Sequence, residues 1–518
     1  MAQETELKFE LDPAAADRLE QKLLLRSRSR TPARPQTLTS VYYDTADGEL
    51  LKAGVSLRVR EGGGKRVQTV KSGGGLTSRG EWETELNAPG LNLKAVARTP
   101  LEPVLRALRG ELVPVFFTTV ERTKRIVRQG AARVEAAIDR GHVEAGGRSI
   151  PICELELELI SGQTGALFDL ARRLAEDAPL RLSFETKSQR GYRLLAGRGV
   201  GEAMKGEKVR LKPGMTARKA FQAIAAATLR QWAGNAAVLR AARRPEALHQ
   251  MRVALRRLRT ALKLFETVVA DDAYPRLVAE LEWLTGELDQ GRDIDVLIAE
   301  TFRPAAARFH DQPGLAGLGE RLLKARTRAY DRILATLDTP RYLSLVLDMA
   351  GWVESGRWAQ PKEALFAAKA DAPVAEMIRV GLDRLHRQIK RRGVGLQRLD
   401  PLSRHRLRIR AKRMRYALEF FGDLYDARKD ERDAYLATLK AMQDCLGALN
   451  DLNVAREKGL ALAEGGGRAA GESETEGAQQ AFAAGLMIGA RAVSEKIMLK
   501  QADRQYAALM DAKRFWRG

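Results

Sequence analysis

Alternating charged and apolar residues mark the beginning of the chain. In residues 4–11 the charged side chains share one face of a strand, and Leu7, Phe9 and Leu11 share the other, because successive side chains of a strand point to opposite faces. The same two-sided pattern recurs within the first 190 residues, at 57–60, 81–85 and 154–159. Each of these segments therefore predicts a strand with one ionic face.

Strand patterns separated by glycine-rich turns continue to about residue 195. The run Glu61–Lys65, with three central glycines, lies between two alternating segments and predicts a hairpin. Further strands are predicted near 40–44, 80–87, 116–128, 131–139, 152–160 and 180–187, and helices at 13–25, 93–109 and 164–177. Many antiparallel strands with few helices are typical of a closed or nearly closed barrel.

The pattern changes near residue 215, where the apolar period becomes close to 3.6 residues and Ala, Leu and Arg dominate. We therefore predict an α+β protein: a strand-rich domain at 1–200, a linker at 201–214 and an all-α domain at 215–512. A tract of Gly, Ser and Glu at 464–477 predicts a mobile loop between late helices.

Composition narrows the class of protein. The chain has 518 residues, too many for one hydrophobic core, and its formal net charge of +22 favours polyanionic partners. Two cysteines cannot form a disulfide framework or a thiolate metal site. No signal peptide and no run of 18 apolar residues is evident. We expect a soluble cytoplasmic protein without a membrane partner.

The ionic strand faces contain the two components of a phosphate site. Buried charges need partners or ligands. Carboxylates that can hold Mg²⁺ or Mn²⁺ are Glu4, Glu6, Glu81, Glu83, Asp139, Glu154, Glu156 and Glu158. Cations that can bind phosphoryl oxygens are Lys8, Arg58, Arg60, Lys71, Arg122 and Lys187. Alternation alone leaves open that these faces point outward to solvent.

The order of motifs in residues 1–200 resembles the CYTH family of triphosphate tunnel metalloenzymes. The set begins with the ExExK motif Glu4–Lys8 and continues with Tyr43-Asp44, Arg58-Val59-Arg60, Thr69-Val70-Lys71, Arg79–Glu83, Arg122, Asp139-Arg140-Gly141, Glu154–Glu158 and Lys187–Tyr192. The resemblance implies an eight-stranded antiparallel tunnel that hydrolyses or rearranges triphosphates with a divalent metal.

The resemblance also implies residue roles. Metal ligands would be Glu4, Glu6, Glu154 and Glu156, with Asp139 and Glu158 as further candidates, and it stays open which two of the acids at 154, 156 and 158 bind metal. Triphosphate would be bound by Lys8, Arg58, Arg60, Lys71, Arg122 and Lys187. The expected catalytic residues are Glu4, Glu6, Lys8, Glu81 and Glu83. Hydrolysis of this kind needs no covalent nucleophile.

An internal repeat in the helical half carries a second candidate site, because residues 249–259 match residues 405–415. Helical spacing aligns basic residues in what we name the basic stripe: His249, Arg252, Arg256, Arg259 and Lys263, followed in the second copy by His405, Arg408, Lys412 and Arg415. A basic helix face is often merely solvated, but its recurrence favours a polyanion track. Aromatic residues are too sparse there to favour base stacking.

The repeated motif, together with Arg292–Val296, resembles the CHAD domain, a conserved-histidine α-helical module, over roughly residues 215–510. The resemblance implies two related four-helix bundles around a surface that binds inorganic polyphosphate. The candidate residues are the basic stripe with Arg257 and Arg413 added.

Together the resemblances predict an inorganic triphosphatase that hydrolyses tripolyphosphate to pyrophosphate and phosphate, joined to a domain that binds long polyphosphate, in the cytoplasm and in association with polyphosphate granules. The alternatives are an adenylyl cyclase or a thiamine triphosphatase on the same tunnel, and a non-catalytic targeting protein that binds polyphosphate or nucleic acid. The sequence leaves open the choice of metal and of triphosphate, the oligomeric state, and whether polyphosphate is substrate, regulator or anchor.

Overall fold

The computed structural model describes residues 2–26, 34–73, 75–97, 99–198, 202–356, 358, 364–464, 474–492 and 495–517. They form two compact units. One unit contains Met1–Lys205, Leu229–Ala247 and Leu337–Arg357, and the other contains Gly206–Thr228, Leu248–Thr336 and Trp358–Gly518. The loop predicted at 464–477 lies mostly outside the described residues, and the linker at 201–214 stays a prediction.

One antiparallel sheet dominates the first unit. Its strands are β1 Ala2–Glu10, β2 Gln36–Asp44, β3 Val55–Gly62, β4 Lys65–Ser72, β5 Ser78–Glu85, β6 Val113–Gln129, β7 Ala132–Ala145, β8 Arg148–Ser161 and β9 Arg181–Ser183. Their order is β5-β4-β3-β2-β6-β7-β8-β1-β9. β1 also pairs with β5, where Glu4 lies opposite Arg79, so β1 to β8 close into a barrel. The predicted eight-stranded antiparallel barrel is confirmed.

The register of the sheet places the charged positions on the inner face of the barrel. Lys8 lies opposite Glu156, and Arg122 lies opposite Asp139. Residues directly opposed in neighbouring strands share a face, and Glu154, opposite both Glu10 and Asp139, continues the same face from β1 to β7. On the outer face, Phe9 is fully buried, because the helices at Pro13–Arg26 (α1) and Gly165–Ala175 (α5) pack against the barrel.

A helix and an apolar cluster close one end of the lumen. The helix α6, Lys187–Leu195, contributes Tyr192 and Leu194 to a cluster with Leu38, Tyr42, Phe116, Val120, Val143, Ala145 and Ile152. Gly191 permits this close approach, since a Cβ atom there would lie 2.3 Å from the Phe116 ring. The Tyr192 hydroxyl donates a hydrogen bond to Asp44 at 2.7 Å.

The strand predicted at 180–187 is wrong beyond Ser183, because Lys187 begins α6. The Thr186 hydroxyl accepts the N–H of Gln189 at 3.1 Å, and the Gln189 side chain accepts the N–H of Thr186. This reciprocal capping box favours a helix start. Similarly, the helix predicted at 93–109 is two short helices, Leu93–Val96 and Glu102–Arg106.

Helical segments from the carboxyl half belong to the barrel unit. The helix α13, Pro340–Ser355, packs on α5, where Arg172 donates to Asp348 at 2.7 Å. A Cβ atom at Gly351 would lie only 3.1 Å from the Phe168 ring.

The second unit is all-helical in its described residues, as predicted. Helices that lie in it wholly or in part are α7 Ala217–Ala242, α8 Pro245–Leu264, α9 Glu266–Val269, α10 Tyr274–Leu297, α11 Arg303–Arg308, α12 Leu315–Leu337, α14 Ala364–Asp371, α15 Val374–Gly393, α16 Pro401–Phe421, α17 Lys429–Glu464, α18 Glu474–Ala492 and α19 Glu495–Asp511. The remaining short helices of the first unit are α2 Glu49–Lys52, α3 Leu93–Val96 and α4 Glu102–Arg106. Among the described helices, none offers the apolar length that a membrane crossing needs.

Candidate functional site

Three carboxylates from neighbouring strands meet in the lumen of the barrel. Asp139 of β7 lies opposite Glu154 of β8, and both side chains are fully buried. With Glu156 they offer oxygen atoms that all lie within 4.8 Å of one another. Because hard divalent cations prefer such oxygen donors, this group could hold a metal ion.

Basic side chains surround the three carboxylates. The Lys187 ammonium group lies 2.7 Å from Asp139, donates to Glu156 at 2.9 Å and contacts Glu154. Arg122 donates to both oxygens of Asp139 at 2.6 Å and to Glu156 at 2.5 Å. Lys8 lies 3.2 Å from Glu156. These positive charges stabilise the ionised form of the three carboxylates, which is the form that binds a metal ion.

The protonation of these acids follows from opposing effects. Burial would raise the pKa of Asp139 and of Glu156, but Lys187 and then Arg122 outweigh burial, and both pKa values are lowered. Both groups are therefore ionised at neutral pH.

A second acidic region lies farther along the same strands, around Glu158. This residue lies opposite Glu6 on β1 and opposite Glu135 on β7. Burial, followed by repulsion from Glu4, Glu135, Glu81 and Glu6, raises the pKa of Glu158 to about 7. Glu158 thus stands among negative charges, whereas Glu154 and Glu156 are paired with cations.

Two cations of β4 and β5 neutralise the acids of β1. Lys71 donates to Glu4 at 2.7 Å and lies 3.1 Å from Glu81. Arg79 contacts Glu6, and its Nε atom lies 3.8 Å from Glu4. Arg79 was not among the predicted site residues. It shares the inward face of β5 with Glu81, so the alternation of that strand already contained the signal.

Arg58 and Arg60 of β3 form a basic wall of the lumen. Arg60 donates to Glu83 at 3.3 Å, and the Thr69 hydroxyl donates to Glu83 at 3.1 Å. Burial and then repulsion from Arg58 lower the pKa of Arg60. The Nε atom of Arg58 is buried and has no hydrogen-bond partner within the described residues. An anion at this wall would satisfy that donor. Glu83 lies at this wall, not in the three-carboxylate group.

Arg190 is a second residue that the sequence prediction missed. It follows Lys187 by three residues on α6, so both side chains reach the same part of the lumen. Its guanidinium lies 3.6 Å from Glu154 and 3.4 Å from Glu10. The strand predicted at 180–187 included Lys187, so the helical spacing from Lys187 to Arg190 was not recognised.

In the second unit, α8 and α16 bring the central residues of the basic stripe together. Burial and then repulsion from Arg256 and Arg408 lower the pKa of Lys412 to about 6. Burial and then Arg256 lower the pKa of Arg252 to about 10, and Arg408 adds to this effect. Cations from two helices therefore act on one another, which is the electrostatic property of an anion-binding surface.

Several residues of the stripe, including Arg252 and Arg408, also have acidic or amide partners. These contacts are Arg252 with Asp289, Arg259 with Glu282 at 2.6 Å, Lys263 with Glu266 at 2.6 Å, His405 with Asn450 at 2.6 Å, Arg408 with Asp451 at 3.9 Å and Arg415 with Glu419 at 3.2 Å. His249 begins the stripe one turn before Arg252 on α8.

Arg257 and Arg413 do not share the stripe. The Arg257 guanidinium lies 5.2 Å from the centre of the Phe420 ring and donates to the Glu207 carbonyl at 3.4 Å. Arg413 lies on the opposite edge of α16 from Arg408 and Lys412, since successive residues of a helix turn by about 100°.

A closed antiparallel barrel with an ionic lumen, followed by a helical domain with a repeated basic stripe, defines the class of this protein. Residues 2–192 match the family model of the CYTH domain, and residues 223–458 match that of the CHAD domain. The chain belongs to these two families and joins a CYTH domain to a CHAD domain. Both predicted resemblances are confirmed.

Individual relatives extend this result. The chain is 32% identical over 203 residues to an inorganic triphosphatase of Haemophilus influenzae, which covers 38% of this chain and 55% of that protein. The chain thus spans about half of that relative's length. It is 26% identical over 455 residues to an uncharacterised protein of Mycobacterium tuberculosis, covering 82% of this chain and 81% of that protein.

A solved structure matches the helical half. The crystal structure of the CHAD domain from the plant Ricinus communis is 33% identical, with a TM-score of 0.51. The match covers 60% of this chain and 98% of the plant chain.

Proposed function

We propose that this protein is a metal-dependent inorganic triphosphatase that hydrolyses tripolyphosphate to pyrophosphate and phosphate in the lumen of the barrel. One observation carries the proposal: the lumen places the basic wall of Arg58 and Arg60 in the same closed barrel as the Asp139, Glu154 and Glu156 carboxylates. Phosphoryl transfer needs both groups, one for the substrate oxygens and one for a metal. The triphosphatase relative supports the same reaction.

The donor set fits Mg²⁺ or Mn²⁺, because it consists of carboxylate oxygens. Asp139, Glu154 and Glu156 would hold one ion, and the acidic region of Glu4, Glu6 and Glu158 is the candidate for another. A bound divalent ion would supply charge neutralisation at phosphoryl oxygens and a more acidic water.

The residues of the chain would bind and orient the substrate. Arg58 and Arg60 bind phosphoryl oxygens, and the buried Nε donor of Arg58 gains an acceptor when they do. Lys8, Lys71, Arg122 and Lys187, which now pair with carboxylates, exchange part of these contacts for substrate oxygens. Glu81 and Glu83 on β5 are our candidates for orienting the attacking water.

Phosphate release tests the proposed reaction. Tripolyphosphate, ATP and thiamine triphosphate are compared under titration with Mg²⁺ and with Mn²⁺, and tripolyphosphate should give the highest kcat/KM. Glu6→Gln should abolish turnover, whereas Glu121→Gln, on the exposed outer face of β6, should retain it. A preference for ATP would contradict the proposal, and the absence of metal-dependent release from all three would favour a non-catalytic binding protein.

We further propose that the basic stripe binds long-chain inorganic polyphosphate, which agrees with a cytoplasmic location at polyphosphate granules. The mutual repulsion of Arg252, Arg256, Arg408 and Lys412 supports this ligand, because a chain of linked phosphates removes it. Arg256→Gln combined with Arg408→Gln should weaken binding and leave tripolyphosphate turnover unchanged.

A charge-matched control is available on another helix of the second unit. Lys324→Gln with Arg328→Gln removes two charges from exposed positions of α12, and its binding should match the wild type. Equal losses in the two variants would show attraction by net charge without a specific surface. Tight binding of duplex DNA that polyphosphate fails to displace would favour a nucleic-acid ligand.

A further inference from the structure

Helix α16 carries basic residues on both sides of its buried row. The row consists of Leu407, Ala411, Met414 and Leu418. Arg408, Lys412 and Arg415 lie on one side of it as part of the basic stripe. Arg410 and Arg413 lie on the other side, because they are offset by the helical rotation of about 100° per residue. Arg413 was predicted to bind polyphosphate as part of the repeated motif, whereas Arg410 was not among the predicted residues.

Helix α15 packs against α16 and adds two arginines to this second edge. Arg384 and Arg392 are separated by eight residues and lie on the same side of the buried row of α15. Burial, followed by repulsion from Arg392 and Arg384, lowers the pKa of Arg410. Both arginines of α15 therefore lie close enough to Arg410 of α16 to repel it.

The second edge meets the basic stripe at Arg259. Burial, followed by repulsion from Arg410 and Arg259, lowers the pKa of Arg413. Arg259 belongs to the stripe on α8, so the row of cations continues from α8 past Arg413 and Arg410 to α15.

Glu282 attracts Arg413, but its ion pair is with Arg259. In the part of the chain that the structure describes, Arg384, Arg392, Arg410 and Arg413 form no ion pair. The Nε atoms of Arg392 and Arg410 are buried and have no hydrogen-bond partner there. Like charges that are held together disfavour one another, and unmet buried donors carry a desolvation cost. A ligand with regularly spaced anionic oxygens would relieve both effects.

We propose that Arg384, Arg392, Arg410 and Arg413, which we name the α15 branch, form a second binding segment for a chain of linked phosphates, continuous with the basic stripe at Arg259. The inference rests on the proposed polyphosphate binding. Linked phosphates suit the branch because guanidinium groups bind phosphate oxygens bidentately. The branch extends the surface, so it contributes to the binding of long chains only.

The test compares two triple variants of the full-length protein in titrations with long-chain polyphosphate. The branch variant is Arg384→Gln, Arg392→Gln and Arg410→Gln. The control variant is Arg379→Gln, Lys390→Gln and Lys324→Gln, which removes the same charge from exposed positions of α15 and α12 outside the branch. The branch variant should lose about tenfold or more in affinity and show a shallower dependence on salt. The control variant should bind nearly as the wild type does.

Several outcomes would overturn the inference. Equal losses of polyphosphate affinity in the branch and control variants would show that net charge alone, and not the α15 branch, determines binding. Wild-type affinity in the branch variant, with loss in Arg256→Gln plus Arg408→Gln, would refute the branch but keep the proposed stripe. If the wild type binds no polyphosphate, the proposed function fails as well.

Two further measurements separate folding and ligand identity from the binding segment. Thermal unfolding checks that the branch variant folds; if it does not, the single variants Arg392→Gln and Arg410→Gln each replace it, with a smaller expected loss. Stronger competition by duplex DNA than by polyphosphate, lost in the same variants, would overturn the assignment of the ligand.

Discussion

Lowering the pH from about 8 to about 6 should tighten the binding of long-chain polyphosphate, and Lys412 provides the reason. Burial and then repulsion from Arg256 and Arg408 lower the pKa of Lys412 to about 6, so its amine is largely neutral at about pH 7 in the free protein. A phosphate chain that lies on these arginines cancels their repulsion and attracts a proton. The pKa of Lys412 therefore rises in the complex, and binding takes up a proton.

The size of the effect follows from linkage. One linked proton changes the affinity about tenfold per pH unit between the pKa of the free protein and that of the complex. The lower limit of this window is a pKa of about 6, and the upper limit approaches the ordinary value of 10.5. The complex favours the protonated form, so affinity increases as pH falls. Kd should rise about tenfold from near pH 7 to near pH 8 and level off below about pH 6.

Calorimetric titration at constant ionic strength measures both the Kd at each pH and the number of protons that binding takes up. Buffers with different heats of ionisation give the number of protons taken up, which should be close to one near pH 7.5. Lys412→Arg keeps a charge at every pH and should bind tightly without the pH slope. The double variant His249→Gln, His405→Gln identifies any share that the histidines contribute. A flat profile in the wild type, or an unchanged slope in Lys412→Arg, would refute the reasoning.

Three more predictions concern the barrel unit. Arg79→Gln should lower kcat about tenfold or more because Glu6 loses its cationic partner and Glu4 keeps only Lys71, and Arg79→Lys should restore part of the lost kcat. Equal kcat in both variants and the wild type would remove Arg79 from the site. Gly191→Ala should destabilise the protein by about 1–3 kcal/mol in urea unfolding, because its Cβ would strike a buried ring, whereas Gly485→Ala, with open space around it, should not. Asp44→Ala should lower the free energy of unfolding by about 2–4 kcal/mol in the same assay, because this buried carboxylate accepts hydrogen bonds from three backbone N–H groups and one tyrosine hydroxyl. An unchanged unfolding midpoint would contradict this prediction.

The strands of the first unit could be predicted because alternation is a local signal. The direction of their charged faces could not, because it depends on closure of the sheet. That closure pairs Glu4 with Arg79, which are far apart in sequence, and no local pattern records such a pairing. The resemblance to a known family supplied the inward direction instead.

The sequence prediction missed some residues of the two sites and assigned one to the wrong helix face, and each error has a physical cause. Arg190 was missed because Lys187 was assigned to a strand at 180–187 and no helix was predicted after it, although the Thr186 and Gln189 capping pair was visible in the sequence. Arg257 was included because it lies within the repeated motif, but helical rotation takes it away from the stripe. Arg384 and Arg392 lie outside the repeat. Their position beside Arg410 depends on the packing of α15 on α16, which the sequence pattern does not record.

The docking of α13 on α5 limits how freely the two halves can be exchanged between proteins. Leu347 and Ala350 of α13 are fully buried, and Asp348 binds Arg172 of the barrel unit. A fragment that ends near residue 200 would leave the matching apolar surface of α5 exposed to water, where such patches promote aggregation. In evolution, a recombination event that replaced the helical half would have to supply an equivalent helix, so the two domains are expected to be inherited together.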